Sequence, residues 1–231
     1  MHGTTPRMGN APWFSSVEVS RPIRFCSDSQ PGTAAPCLVV ALHGYGMSAA
    51  QMLQYTRHLI GGEPALVSVE APNAAHLGPD PHASGTGYNW GIRETTEFHI
   101  DFHHRIVSSI LKQAWSAFPV GPRRTVLAGF SQPVGLNYRY AAGFPENLGG
   151  VLALCGGVPE EWDRHATRPL PFSVLHIART EDEFYPLDTI DVFDRRLRRS
   201  VSDVTMLRLA GKHRFPLQAS ADVRSWLTRF V

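Results

Sequence analysis

The chain reads as an α/β protein with a mostly parallel central sheet and helices on both faces. Three observations predict this. From Cys37 onward, short apolar runs alternate with helical patterns, as in successive strand–helix–strand units. Cys37-Leu38-Val39-Val40-Ala41-Leu42 is continuous and β-branched-rich, which fits a strand buried on both faces. Mid-chain, Val126-Leu127-Ala128-Gly129-Phe130-Ser131-Gln132-Pro133 passes abruptly from an apolar run into a helical pattern, with a serine at the break.

Each element follows from its local pattern. Met1 to Pro12 is polar, contains Gly and Pro, and has no apolar stretch of the signal-peptide kind, so it is expected to be a flexible segment. Phe14 to Cys26 alternates through Val17 and Val19, then Ile23 and Phe25, and predicts an antiparallel hairpin or two edge strands. The buried run runs directly into His43-Gly44-Tyr45-Gly46. Ser48 then caps a helix through Met52, Leu53, Tyr55 and Leu59, and Ala65 to Val69 is the next strand. Ala71 to about Tyr88 reads as a long loop rich in Pro, Gly and His, closed by Tyr88-Asn89-Trp90-Gly91; loops of that length are usually functional or mobile.

Thr95 to Phe118 has the periodicity of a long helix, and Arg124 to Ala128 is the strand leading to Ser131. A helix follows to about Ala142 and ends at Phe144-Pro145-Glu146. Further strands are expected at Val151 to Cys155, Phe172 to Ala178 and Val204 to Leu209. Helices are expected at Leu187 to Arg199 and Ala219 to Phe230. The short 156–171 connection leaves no room for a separate lid domain, and residues 1–231 are expected to form a single domain.

Composition narrows the function classes. The chain has 231 residues, 43% hydrophobic and 18% charged, and its net charge of +2 is too small to argue for nucleic acid or an anionic membrane. No apolar run approaches the ~20 residues of a membrane span, so a cytoplasmic protein is expected. Cys26, Cys37 and Cys155 form no C-x-x-C pair and no disulfide framework; Cys155 reads as core. Arg195-Arg196-Leu197-Arg198-Arg199 reads as a solvated helix face. No G-x-G-x-x-G follows a strand and no P-loop is present, so no dinucleotide or ATP site is expected.

The chemistry centres on Ser131. A serine on a tight strand-to-helix turn presents its hydroxyl clear of the sheet, and the next backbone N–H sits at a helix N-terminus, where it can stabilise an oxyanion. The alternative is an ordinary turn with a solvent-facing serine. The elbow pattern is G-x-S-x-G, and here Pro133 replaces the second glycine. Proline suits the first helical position and keeps Gln132 extended, so the Gln132 N–H is retained. His43, beside the Gly44-Tyr45-Gly46 turn, is expected to fix that loop through hydrogen bonds. His99 and His103 share a face of the long helix near Asp101 and His104, a spacing able to chelate a metal. No glutamate completes H-E-x-x-H, which favours a solvated or loop-facing polar stripe. Trp90 either lines a substrate pocket or packs in the core.

Three further segments follow strands: Leu42-His43-Gly44-Tyr45-Gly46; His176-Ile177-Ala178 with Asp182-Glu183-Phe184-Tyr185-Pro186; and Gly211-Lys212-His213. With Gly129-Phe130-Ser131-Gln132, and in the order serine, acid, histidine, they resemble the phospholipase/carboxylesterase family of α/β-hydrolases, which includes the acyl-protein thioesterase-like bacterial esterases. The resemblance runs from about Leu38 to Val231. It implies an α/β-hydrolase fold, Ser131 as nucleophile, Asp182 of the D-x-x-x-P segment as acid and His213 as general base. The Tyr45 and Gln132 backbone N–H groups would form the oxyanion hole. Two features depart from the family pattern: Pro133, and Ile177 after His176 where the family often has His-Gly. The second leaves Glu181 and Glu183 as neighbours competing with Asp182.

The implied activity is that of a serine carboxylesterase acting on short- to medium-chain acyl esters, with thioesters as a further substrate type. No metal or cofactor is implied. The partner is a small-molecule ester, with no nucleic acid and no stable membrane insertion, and a homodimer is left open. Two other readings remain at this point. One is a non-catalytic binding protein whose elbow is altered by Pro133. The other is a metal-dependent hydrolase using the helical histidines.

Overall fold

The structure, a computed structural model, describes residues 19–78, 85–91, 96–165 and 169–231. The flexible segment expected at 1–12 and the strand expected from Phe14 lie outside them. A seven-stranded sheet forms the centre. Its strands, in chain order, are β1 (Phe25–Ser27), β2 (Leu38–Leu42), β3 (Ala65–Val69), β6 (Thr125–Phe130), β7 (Gly150–Leu154), β8 (Ser173–Arg179) and β9 (Val204–Leu209). A separate two-stranded sheet is made by β4 (Asn73–His76) and β5 (Thr86–Asn89). The large sheet runs β1-β3-β2-β6-β7-β8-β9, and all its pairings are parallel except β1 with β3.

Parallel strands of a sheet covered on both faces should be apolar throughout, and β2, β3 and β7 are buried at every residue. Successive side chains point to opposite faces. Leu38, Val40 and Leu42 of β2 therefore pack into one core layer, and Val39 and Ala41 into the other. The first layer takes the apolar faces of α2 (Thr96–Ala117), α3 (Val134–Gly143) and α4 (Leu187–Ser200), through residues such as Val107, Tyr138 and Leu197. The second takes α1 (Ala49–Ile60) and α5 (Ser220–Leu227), through Met52, Leu59, Val223 and Trp226. The chain has the α/β-hydrolase architecture that the resemblance implies, and no separate lid is evident among the described residues.

Ser48 closes a capping box at the start of α1. Gln51 N–H donates to Ser48 Oγ at 3.3 Å, and Ser48 N–H donates to Gln51 Oε1 at 3.0 Å. The last helix is shorter than its pattern suggested: α5 proper spans Ser220–Leu227, flanked by 3-10 turns Leu217–Ala219 and Thr228–Phe230.

The first strand of the hairpin or edge pair expected over Phe14 to Cys26 lies outside the described residues; its described end enters the edge strand β1, which pairs antiparallel with β3. One expectation is corrected here. The 71–88 stretch is not structureless: its described parts form the antiparallel β4–β5 pair, with Asn73 opposite Asn89 and His76 opposite Thr86. The hairpin is stitched to the turn after β2, where Gly46 N–H donates to Tyr88 O at 2.9 Å and Tyr88 N–H to Met47 O at 3.0 Å. Gly87 permits this approach, because a Cβ there would overlap the Gly46 carbonyl. That contact partner is remote in sequence, so the local pattern of 71–88 carried no trace of it.

Among the described residues, no helix is long and apolar enough to cross a membrane.

Candidate active site

The C-terminal ends of β2, β6, β8 and β9 bring the predicted residues to one edge of the sheet. β6 ends at Phe130, and Ser131 turns sharply with φ 60. This left-handed conformation costs a non-glycine residue roughly 1–3 kcal/mol, so it persists only where surrounding contacts impose it. Here Ser131 N–H donates to Leu154 O at 2.8 Å, and Ser131 O accepts from Val134 N–H at 3.2 Å. Gly129 is required behind the elbow: a Cβ there would stand 2.6 Å from Asn137 Nδ2 on α3.

Pro133 precedes the first helical residue, Val134, instead of occupying that first position itself. Its φ of −76 and ψ of −8 suit the pyrrolidine ring, and its carbonyl accepts the Asn137 N–H at 2.8 Å. The one-position shift is within the ordinary spread of helix ends. At negative φ the site has no need of glycine's freedom, which is why a proline fits there.

The loops after β8 and β9 deliver the acid and the imidazole. Asp182 is 5% exposed, and its Oδ1 accepts the backbone N–H groups of Phe184 at 2.9 Å and Tyr185 at 3.1 Å. Its Oδ2 accepts His213 Nδ1–H at 2.7 Å. A carboxylate can only accept here, so the proton belongs on Nδ1 and Nε2 is left with its lone pair. Nε2 in turn lies 2.8 Å from Ser131 Oγ. Neither neighbouring glutamate reaches the ring: Glu181 is exposed, and Glu183 Oε2 accepts the His213 backbone N–H at 3.0 Å. That backbone hydrogen bond is the main cause of the lowered Glu183 pKa. The role of Glu183 was not legible in the sequence, where it looked only like a rival to Asp182.

The turn bearing Tyr45 lies against the elbow, with Gly44 packed on Phe130. Gly44 O accepts Met47 N–H at 3.2 Å. Among the described residues, neither the Tyr45 N–H nor the Gln132 N–H donates to a protein acceptor. His43 is fully buried behind this turn. Ala71 N–H donates to its Nε2 at 3.0 Å, so the ring proton sits on Nδ1, which donates to Gly44 O at 2.8 Å. Burial lowers its pKa and keeps the ring neutral.

Trp90, expected either to line a substrate pocket or to pack in the core, is only 2% exposed and belongs to the core layer. Its indole N–H donates to His43 O at 2.8 Å, and its backbone N–H donates to Gln132 Oε1 at 3.0 Å. It therefore braces the Tyr45 turn from behind, because its polar edge finds its partner inside the protein. The site's exposed wall is Phe184, 71% exposed, whose ring stands edge-on to His213 at 4.9 Å between centroids. Phe130 and Tyr185 lie at 5.5 and 6.2 Å from the same ring. A cavity of about 500 Å³ lies elsewhere, between Ile23 and Phe25 on one side and Phe102 and Ile106 on the other.

Of the helical histidines, expected as a solvated or loop-facing stripe, His99 lies against Gly91 and His103 is buried. His103 is 1% exposed, its Nε2–H donates to Asn137 Oδ1 at 3.1 Å, and its ring meets Trp90 at 5.5 Å. Burial pushes its pKa down to about 3. Among the described residues, no group of three or more His, Cys, Asp or Glu side chains is placed to hold a metal.

By sequence, no curated protein matches the chain. Solved structures do match in fold. Esterase PE8 superposes with a TM-score of 0.71 at 20% identity, covering 90% of this chain and 99% of its own. A carboxylesterase from Mesorhizobium loti gives 0.68 at 19% identity, over 85% and 90% of the two chains. Acyl-protein thioesterase 2 of Zea mays gives 0.67 at 16% identity, over 90% and 98%. The family model described as Phospholipase/Carboxylesterase matches residues 28–230. The chain therefore belongs to the phospholipase/carboxylesterase family of hydrolases.

Proposed function

We propose that the protein is a serine carboxylesterase that cleaves short- to medium-chain acyl esters, and thioesters of the same acyl groups, through an acyl-enzyme. The observation that carries this reading is the unbroken chain of hydrogen bonds from Asp182 through His213 to a strained Ser131. Such a chain has a definite use: a serine hydroxyl is a poor nucleophile until a base accepts its proton, and the acid orients that base and stabilises its cation.

In the proposed sequence, Ser131 Oγ attacks the ester carbonyl as His213 Nε2 takes its proton. The Tyr45 and Gln132 N–H groups stabilise the tetrahedral oxyanion, for which their lack of protein acceptors leaves them available. The imidazolium then protonates the departing alcohol or thiol. Water, deprotonated by His213, attacks the acyl-enzyme and releases the acid. The apolar surroundings of His213, Phe184 and Phe130, support an apolar acyl or alcohol group beside it. The proposal includes a single domain over 1–231, working in the cytoplasm on small-molecule esters without metal or cofactor.

The test combines fluorophosphonate labelling with a panel of 4-nitrophenyl esters of increasing acyl length, using Ser131→Ala as control. Labelling and turnover that both vanish in Ser131→Ala are expected, with the highest kcat/KM at short or medium chains. A folded wild-type protein that neither labels nor turns over any ester would reject the esterase in favour of a binding role.

A further inference from the structure

The loop that carries His213 has little backbone structure of its own. Among the described residues, the backbone of 212–214 makes no backbone–backbone hydrogen bond. Side chains hold it instead: Cys155 Sγ–H donates to Arg214 O at 3.4 Å, and a buried cation grips several carbonyls. Arg179, the last residue of β8, is 6% exposed. Its Nη1 donates to Ala210 O at 2.8 Å, and its Nη2 donates to Gln218 Oε1 at 3.0 Å. Longer contacts of 3.4 Å run from Nε to Arg214 O and from Nη2 to Phe215 O. The acceptors stand on both sides of His213, and all are neutral oxygens.

We propose that Arg179 is a positioning residue for the general base, holding the 210–215 backbone so that the His213 ring stays aligned between Asp182 and Ser131. The inference rests on the reading of His213 as base.

Burying a permanent cation is unfavourable unless its donors are satisfied, and an apolar side chain would pack a strand end at no such penalty. What a guanidinium supplies is a rigid, planar fork able to grip several carbonyls at once. The opposite polarity is gripped by Glu183, whose carboxylate accepts the His213 N–H at 3.0 Å. A cation thus takes carbonyls and an anion takes an N–H of one short loop. Arg179 and Glu183 flank Asp182 in the chain, so the acid and the base are registered to each other through a single segment. Displacing a reacting group by about 1 Å can lower rate ~10²-fold, and residues 212–214, which make no backbone–backbone hydrogen bond, permit such a displacement.

The test is steady-state hydrolysis by purified Arg179→Lys and Arg179→Met, beside His213→Ala, of two acetate esters: 4-nitrophenyl acetate and ethyl acetate. Lysine keeps the charge but reaches fewer carbonyls. The expected result is a lower kcat with KM near wild type, ~10-fold for lysine and up to ~10²-fold for methionine. The loss should be larger with ethyl acetate, because its poor leaving group depends more on protonation by the imidazole. A merely structural role would lower the melting temperature without separating the two esters. If Arg179→Met does not fold, Arg179→Lys decides. Wild-type kcat in folded Arg179→Lys, or equal losses on both esters, would overturn the positioning role while His213→Ala stays inactive. Full activity in His213→Ala would instead remove the base assignment on which the proposal rests.

Discussion

Gln132 clasps the backbone of Trp90 and its neighbour: Gln132 Oε1 accepts the Trp90 N–H at 3.0 Å, and Gln132 Nε2 donates to Gly91 O at 2.9 Å. One residue thus offers its main-chain N–H beside Ser131 while its side chain ties the elbow to the segment behind the Tyr45 turn. Trp90 completes the tie by donating to His43 O at 2.8 Å. Both expected oxyanion donors are held by this one network.

Gln132→Ala removes both side-chain hydrogen bonds and keeps the backbone N–H. Each bond contributes about 0.5–1.5 kcal/mol net. Unfolding free energy in urea should fall by about 1–3 kcal/mol. Loosened donors should also lower kcat, by up to the ~10²–10³-fold seen when such a donor is lost outright. Unchanged kcat in the folded variant would show that the clasp is irrelevant to the oxyanion site.

Ser131→Ala should lose nearly all turnover, leaving the residue of catalysis that oxyanion stabilisation and binding provide. Asp182→Asn should lower kcat up to ~10⁴-fold, because the amide favours the wrong imidazole tautomer. Glu181→Gln should have little effect, since Glu181 is exposed and away from the ring. A large loss in Glu181→Gln with little in Asp182→Asn, measured on one ester, would reassign the acid.

Pro133→Gly tests the elbow's departure from its family pattern. Pro133 has negative φ, and its carbonyl starts the α3 hydrogen bonding. Glycine can adopt the same angles but has more unfolded freedom to lose, so stability should drop by roughly 0.4–1 kcal/mol. Turnover should change only modestly, because no donor is gained. A wild type inert to fluorophosphonate beside a reactive Pro133→Gly would mean that the proline disables the site.

Acid stability follows from the buried histidines. Burial lowers the pKa of His103 to about 3 and of His176 to about 4, from the ordinary 6.5. Below pH 6.5 the unfolded chain takes up protons that these folded rings refuse. Their stabilising contribution is therefore complete above that pH and is lost as pH falls toward 4 and then 3. Each group should add roughly 1.4 kcal/mol per pH unit to the slope in that window. Urea denaturation from pH 7 to 4.5 should show this decline, and His103→Gln should show a shallower one. An identical slope in the variant would mean that His103 titrates normally.

How much of this was legible before folding depends on the range of the interactions. The order of strands and helices, the cap at Ser48, and the serine, acid and histidine in sequence after strand ends could all be read from the chain. They rest on local periodicity, turn chemistry and resemblance, which neighbouring residues encode. Tertiary structure decided the rest. It decided that Asp182 rather than Glu183 meets the His213 ring, although both stand in the same loop. It turned Trp90 inward onto His43, drew His103 into the core beside Asn137, and paired β4 with β5 across a stretch that had no strand signal of its own. It also set Arg179 beneath a loop that follows the next strand. Each of these depends on a partner remote in the chain, and a side chain's burial and hydrogen-bond choice are set by the partner it meets.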